Sequence, residues 1–160
     1  LNPVFKYGYD RFFARCASAG ISGIIVPDMP LEEKGEVADI AAKYGVDVIS
    51  LIAPTSKERI AKIAKSATGY IYIVSSMGVT GMRSEITTDL ESIVRVVKEN
   101  TSVPAAIGFG INTPEQAKKY AGIADGVIVG SAIVKIIEKY GENAAEPVYN
   151  YVKEMADAVK

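Results

Sequence analysis

Short segments that are apolar at almost every position alternate along the chain with longer segments that are apolar at every third or fourth position. Five of the short segments, all rich in β-branched residues, span residues 23–27, 47–52, 70–74, 103–107 and 126–129. Continuous apolar character is typical of strands that are covered on both faces, as in a parallel sheet. The pattern therefore predicts five buried parallel strands.

The longer segments have the spacing of amphipathic helices, one before the first strand and others after the strands. After the third strand, the apolar stripe consists of Leu90, Ile93, Val94 and Val97. Thr113 and Gln116 have the spacing of a capping box, in which both side chains satisfy free amide groups at a helix start. Residues 1–5 are interpreted as the end of a preceding strand and the loop after it.

The strand starts are separated by 24, 23, 33 and 23 residues. Strand–helix units of this length build either a (β/α)8 barrel or an open, doubly wound sheet. The 160 residues contain no linker or low-complexity segment, and a complete barrel usually needs about 250 residues. We therefore expect one domain over residues 1–160 that holds five such units.

Composition and charge exclude several classes of function. Eighteen basic residues are balanced by nineteen acidic ones, so a nucleic-acid partner has no electrostatic support. No apolar run is long enough to cross a membrane. The chain has no histidine, which rules out a Ser-His-Asp or Cys-His catalytic system and any histidine-based metal site within it. The single cysteine, Cys16, fits a reducing compartment, so we expect a cytoplasmic protein.

Glycines follow three of the predicted strands, at the edge where parallel α/β proteins carry their functional loops. A phosphate needs converging amide donors, which glycine loops and helix starts supply. Gly108-Phe109-Gly110 and Gly130-Ser131 offer both features one strand apart, and the alternative is that they only form tight turns. Asp28 is the best-placed acid–base candidate or a turn residue, and Tyr72 lines a ring-binding pocket or fills a core.

Several motifs are more specific than these general features. In chain order they are Asn2-Pro3-Val4-Phe5, Val26-Pro27-Asp28-Met29-Pro30, Ala53-Pro54-Thr55, Gly78-Val79-Thr80-Gly81, Gly108-Phe109-Gly110-Ile111 and Gly130-Ser131-Ala132. Together they resemble the tryptophan synthase α subunit family, and the resemblance covers essentially all of the chain. It implies an α/β fold that is a partial (β/α)8 TIM barrel of the ribulose-phosphate-binding type, with parallel strands and outer helices.

The resemblance also implies a function. The family is a carbon–carbon lyase of tryptophan biosynthesis that cleaves indole-3-glycerol phosphate to indole and glyceraldehyde 3-phosphate. By position, the implied phosphate-binding residues are Gly81, Phe109, Gly110, Gly130 and Ser131. The implied indole pocket consists of Ile25, Ile52, Tyr72, Thr80, Phe109 and Val129. The family needs no cofactor of its own, because pyridoxal phosphate belongs to its β partner subunit.

Two further expectations follow from the resemblance. Asn2, Pro3 and residues 28–33 lie where the family meets the β subunit. The family's acid–base carboxylates precede residue 1, so we expect a carboxyl-terminal portion of the subunit, without the first two to three barrel strands, that is inactive alone. Two alternatives stay open, namely a non-catalytic half barrel that binds phosphate or a partner, and another sugar-phosphate isomerase or epimerase barrel.

Overall fold

The computed structural model describes residues 1–75, 89–108 and 110–160. Within these residues, five parallel strands form one sheet in the order β1-β2-β3-β4-β5. The strands are β1 (Gly23–Ile25), β2 (Asp47–Ile52), β3 (Ile71–Val74), β4 (Ala105–Gly108) and β5 (Gly126–Val127). All five predicted strands are present, and β2 has the predicted bounds.

The helices among the described residues alternate with these strands. They are α1 (Asn2–Tyr7), α2 (Tyr9–Ser18), α3 (Lys34–Lys43), α4 (Lys57–Lys65), α5 (Leu90–Asn100), α6 (Pro114–Ala121), α7 (Ser131–Tyr140) and α8 (Ala145–Ala158). Two short 3-10 helices, Leu31–Glu33 and Gly141–Asn143, precede α3 and α8. None of the described helices has the length and apolar character that a membrane span requires. The predicted capping box at Thr113 and Gln116 is confirmed at the start of α6.

The interpretation of residues 1–5 as a strand end and loop is wrong, because this segment begins α1. The amides of Val4 and Phe5 both donate to the Leu1 carbonyl, which closes the first helical turn. Pro3 lies in that turn, where the missing proline N–H removes no helical hydrogen bond. The helix is short, and none of its residues is buried, so its apolar residues did not form a recognisable stripe.

The strand order distinguishes between the two predicted architectures. In a doubly wound sheet the order reverses at a switch point, whereas here each strand pairs with its neighbours in sequence. The helix-facing side chains of β3 and β4, which are Ile71, Ile73, Ala105 and Ile107, are almost fully buried in one core with residues of α4, α5 and α6. Tyr72 and Val74 point to the other face and are partly exposed. The sheet is therefore an arc of a (β/α) barrel, with its helices outside.

Two separate hydrophobic cores lie between the sheet and its helices. The large core joins the end of β2, β3 and β4 to α4, α5, α6 and α8. The small core contains Phe13, Cys16, Val37, Ala41, Val46 and Val48, from α2, α3 and the start of β2. Strand β2 belongs to both, since residues 47–49 pair with β1 and residues 50–52 pair with β3.

Candidate functional site

The carboxyl ends of β3 and β4 approach each other closely on the concave face of the sheet. Tyr72 pairs with Ala106, and the Tyr72 ring extends over the next residue on that face, Gly108. A Cβ atom at position 108 would lie 2.2 Å from the Tyr72 hydroxyl oxygen and 2.4 Å from the ring carbon that carries it. Position 108 must therefore be glycine for the Tyr72 ring to lie against the β4 backbone, which makes this ring a wall of the concave face.

The register shows which predicted pocket residues share this face. Side chains alternate along a strand, and paired residues of neighbouring strands point to the same side. Leu51 pairs with Tyr72, and Ile25 pairs with Ile49, which lies two residues before Leu51. Ile25 and Tyr72 are thus brought to the concave face, where Ile25 is 42% exposed.

Ile52 and Val129 pack on the helix-facing side of the sheet, and their place in the indole pocket stays a sequence-based prediction. Ile52 is fully buried in the large core, and Val129 packs against that core. Their neighbours Leu51 and Ile128 occupy the concave side, the latter by alternation from Gly126, which pairs with Ala106. Neither residue was among the predicted pocket residues. Knowledge of the strand register would have pointed to Leu51, because it pairs with Tyr72.

Four of the five predicted phosphate-binding residues come after β4 and β5 in the chain. The two strands lie side by side, and the Ile128 amide donates to the Ile107 carbonyl at 2.8 Å, so their following loops leave at the same edge. Gly110 has a φ of 86°, in the left-handed region that favours glycine. Gly130 and Ser131 begin α7, where no side chain caps the helix and no acidic residue lies in the first turn. These amide groups and the helix dipole suit an anion.

Three of the predicted site residues lie outside the described residues. They are Gly81 and Phe109 of the predicted phosphate site and Thr80 of the predicted pocket, with Phe109 assigned to both. For these residues the sequence-based predictions stand as predictions.

A cavity of about 300 Å³ opens at the carboxyl end of β1, where this strand diverges from β2. Its lining is largely apolar and includes Val26, Leu51 and Val74, together with the stem of Lys34. The Lys34 ammonium donates to the Ser50 hydroxyl at 2.7 Å and to the Ser66 carbonyl at 2.8 Å. Burial lowers the pKa of Lys34, and these two acceptors compensate for the partial loss of water. Lys34 thereby joins α3, β2 and the end of α4.

The two segments expected to face a partner subunit lie at one edge of the molecule. The Leu1 α-amino group donates to the Asp28 carboxylate and so brings the start of α1 beside residues 28–33. The hydrogen bond from this amino group lowers the pKa of the exposed Asp28 carboxylate. Glu32 accepts two hydrogen bonds from the Arg59 guanidinium, at 3.0 and 3.3 Å, which ties this edge to α4.

Comparisons with known proteins agree with this architecture. A family model described as tryptophan synthase alpha chain matches residues 1–160. The tryptophan synthase alpha chain of Lacticaseibacillus casei is 54% identical over 159 residues, which are 99% of this chain and 60% of that protein. The corresponding protein of Caldanaerobacter subterraneus subsp. tengcongensis is 52% identical over 145 residues, 91% of this chain and 55% of that protein.

Solved structures give the same result at lower identity. A chain from the tryptophan synthase α2β2 complex of Pyrococcus furiosus superposes with a TM-score of 0.86 at 35% identity, covering 98% of this chain and 64% of that chain. The tryptophan synthase alpha chain of Legionella pneumophila gives a TM-score of 0.83 at 35% identity, covering 99% and 60%. This chain spans about 60% of the length of the relatives it matches. It belongs to the tryptophan synthase alpha chain family.

Proposed function

We propose that this chain supplies the phosphate-binding and indole-binding part of a tryptophan synthase α-type lyase, which cleaves indole-3-glycerol phosphate to indole and glyceraldehyde 3-phosphate. The observation that carries the proposal is that the uncapped start of α7 and the left-handed Gly110 follow two adjacent strands, β5 and β4, at one edge of an arc of a (β/α) barrel. In such barrels the loops after the last strands are a frequent phosphate site. Membership of the family supports this assignment.

In the proposed complex the phosphate lies against Gly110, Gly130 and Ser131, with Gly81 and Phe109 completing the site. Backbone amides donate to the phosphate oxygens, and the Ser131 hydroxyl adds a donor. A Cβ atom at Gly130 would meet no other atom of the described residues within 4 Å. The chain therefore tolerates a side chain there, and the open space serves the ligand.

The proposed indole pocket lies on the concave face beside the phosphate site. It comprises Ile25, Leu51, Tyr72 and Ile128, together with Thr80 and Phe109. Leu51 and Ile128 replace Ile52 and Val129, whose side chains belong to the helix-facing core. An aromatic ring gains from burial against such apolar and aromatic walls.

We assign no residue of the chain to proton transfer, and no cofactor. Proton transfer by one positioned group typically contributes about 10²–10⁴-fold, so we expect at most trace lyase activity from residues 1–160 alone. The edge formed by Asn2, Pro3 and residues 28–33 is the proposed contact with a pyridoxal-phosphate-dependent β subunit. The α2β2 assembly of the Pyrococcus furiosus relative supports such a partner.

Nuclear magnetic resonance titration of the isotope-labelled chain tests the proposal. Glycerol 3-phosphate should shift the amide signals of Gly110, Ile111 and Ser131, and indole should shift Leu51 and Ile128 more than Ile52 and Val129. Gly130→Val should remove the phosphate response while the chain stays folded. Gly35→Val, at an exposed glycine of α3 with open space around it, is the matched control and should bind normally.

The two ligands separate the alternatives. A folded chain that responds to neither at millimolar concentration would refute the proposed function. A response to glycerol 3-phosphate without any to indole would favour a different sugar-phosphate barrel enzyme.

A further inference from the structure

Residues 110–112, which form the described part of the loop after β4, are fixed by contacts that the proposed function does not use. The Asn112 side-chain amide donates to the Gly110 carbonyl at 2.7 Å. A peptide group is planar, so a hydrogen bond to this carbonyl also sets the direction of the amide of the next residue, Ile111. Ile111 is 3% exposed and belongs to the large core, which anchors the loop from below.

Asn112 is itself held from two sides. Its backbone amide donates to the Gln116 side-chain oxygen at 2.9 Å, within the capping box of α6. Its carbonyl accepts the Tyr151 hydroxyl of α8 at 2.9 Å, across 39 positions in sequence. Hydrogen bonds therefore run from the carboxyl-terminal helix through Asn112 to Gly110.

A phenylalanine at position 151 would keep the packing of the ring and would remove only the hydroxyl. The Tyr151 ring packs against the large core. Its helix, α8, contacts α6 and α7. Burial raises the pKa of the Tyr151 phenol, which keeps it protonated and able to donate over the whole neutral range. The hydrogen bond of this hydroxyl therefore serves to hold the Asn112 backbone.

We propose that Tyr151 and Asn112 are positioning residues for phosphate binding, through which α8 holds the Gly110 peptide in the orientation that receives the ligand. The inference rests on the proposed phosphate site. Gly110 is left-handed and glycine is permissive, so without these contacts the loop samples other conformations, and part of the binding free energy is used to order it.

Four variants of the chain test this role with glycerol 3-phosphate as the probe. Tyr151→Phe should weaken binding about threefold and Asn112→Ala about tenfold, the range expected for a few hydrogen bonds. Tyr149→Phe, on the same helix but 65% exposed, is the matched control and should bind like the parent. The Tyr151→Phe/Asn112→Ala double variant should bind as weakly as Asn112→Ala alone, because Tyr151 acts on Gly110 through the Asn112 side chain.

Thermal unfolding of each variant provides the readout that separates positioning from packing. The inference would be overturned if a variant bound more weakly and had a lower unfolding midpoint, while the amide resonance of Ile111 without ligand stayed as in the parent chain. It would also be overturned if the parent chain and Tyr151→Phe had the same affinity. In that last case, the parent chain still binds glycerol 3-phosphate, so the proposed function stays intact. Absence of binding to the parent chain overturns both.

Discussion

Residues before and after the middle of β2 pack around different cores, and the two cores differ in what they support. The large core is built mostly from isoleucine and valine and lies beneath β3 and β4, whose carboxyl ends carry Tyr72, Gly108 and Gly110. The small core centres on Phe13 and lies beneath β1, next to the proposed partner edge. A binding site needs a rigid support, whereas a docking edge tolerates motion, so the larger core belongs with the site.

The boundary between the cores runs through β2. At Ile49 the strand leaves β1 and at Ser50 it begins to pair with β3, and the cavity lies at this divergence. Lys34 spans the boundary from α3 to Ser50 and Ser66. The two parts are therefore coupled by the shared strand, by this Lys34 bridge and by the Glu32–Arg59 ion pair at the partner edge, and each can be perturbed separately.

Truncation of one large side chain in each core should give the largest effects. Ile73→Ala and Phe13→Ala both remove a fully buried side chain, and each should cost about 3–4 kcal/mol. We expect Ile73→Ala to lower hydrogen-exchange protection throughout the chain, because β3 lies at the centre of the sheet. Phe13→Ala should lower it in α2, β1 and α3 while β3 and β4 stay protected.

The exposed Val134, at 62% exposure, provides the control, and Val134→Ala should change stability by less than about 0.5 kcal/mol. If Phe13→Ala reduced protection equally in β3 and β4, the two cores would form one cooperative unit.

Removal of the polar bridge should have an intermediate effect. Lys34→Met keeps the apolar stem but leaves the buried Ser50 hydroxyl and the Ser66 carbonyl without this donor, at a cost of about 1–2 kcal/mol. Unfolding followed at α3 and at β4 should then separate into two transitions. Lys62→Met, at an exposed position of α4, should leave one transition, and so would Lys34→Met if the bridge did not couple the cores.

The smallest effect concerns acid stability at the lower end of the large core. The Ala105 amide at 2.9 Å, and then Lys98, lower the pKa of Asp125 below its ordinary 3.8. The folded chain therefore binds this proton less readily than the unfolded chain. The resulting stabilisation is present above about pH 3.8 and is lost as the pH falls through the folded-state pKa.

Asp125→Asn should accordingly flatten the loss of stability at acid pH by less than about 1 kcal/mol, since the pair is half exposed. Asp157 on α8 is the comparison, because Lys153 and Lys160 lower its pKa to about 2. Salt near 1 M should raise the pKa of Asp157 more than that of Asp125, whose first donor is a backbone amide. An equal response by nuclear magnetic resonance titration would mean that Lys98, and not the amide, controls Asp125.

Much of this architecture could be predicted from local patterns. All five strands could be predicted because each is apolar on both faces, which gives a continuous apolar run in the sequence. The same property explains why Ile52 and Val129 were predicted for the pocket although they pack on the helix-facing side. When both faces are apolar, the sequence does not mark which residue faces the helices and which the concave side, and an error of one position reverses the face. Leu51 and Ile128 were missed for that reason.

The sequence by itself determined the family, the order of the elements and the glycines of the proposed phosphate site, because these depend on local chemistry and spacing. Only the tertiary structure decided which side chains share the concave face, how β2 divides between two cores, and that Tyr151 reaches Asn112 across the chain. Such contacts depend on strand register and helix docking, which bring distant residues together through the packing of the whole core, and no short stretch of sequence encodes them.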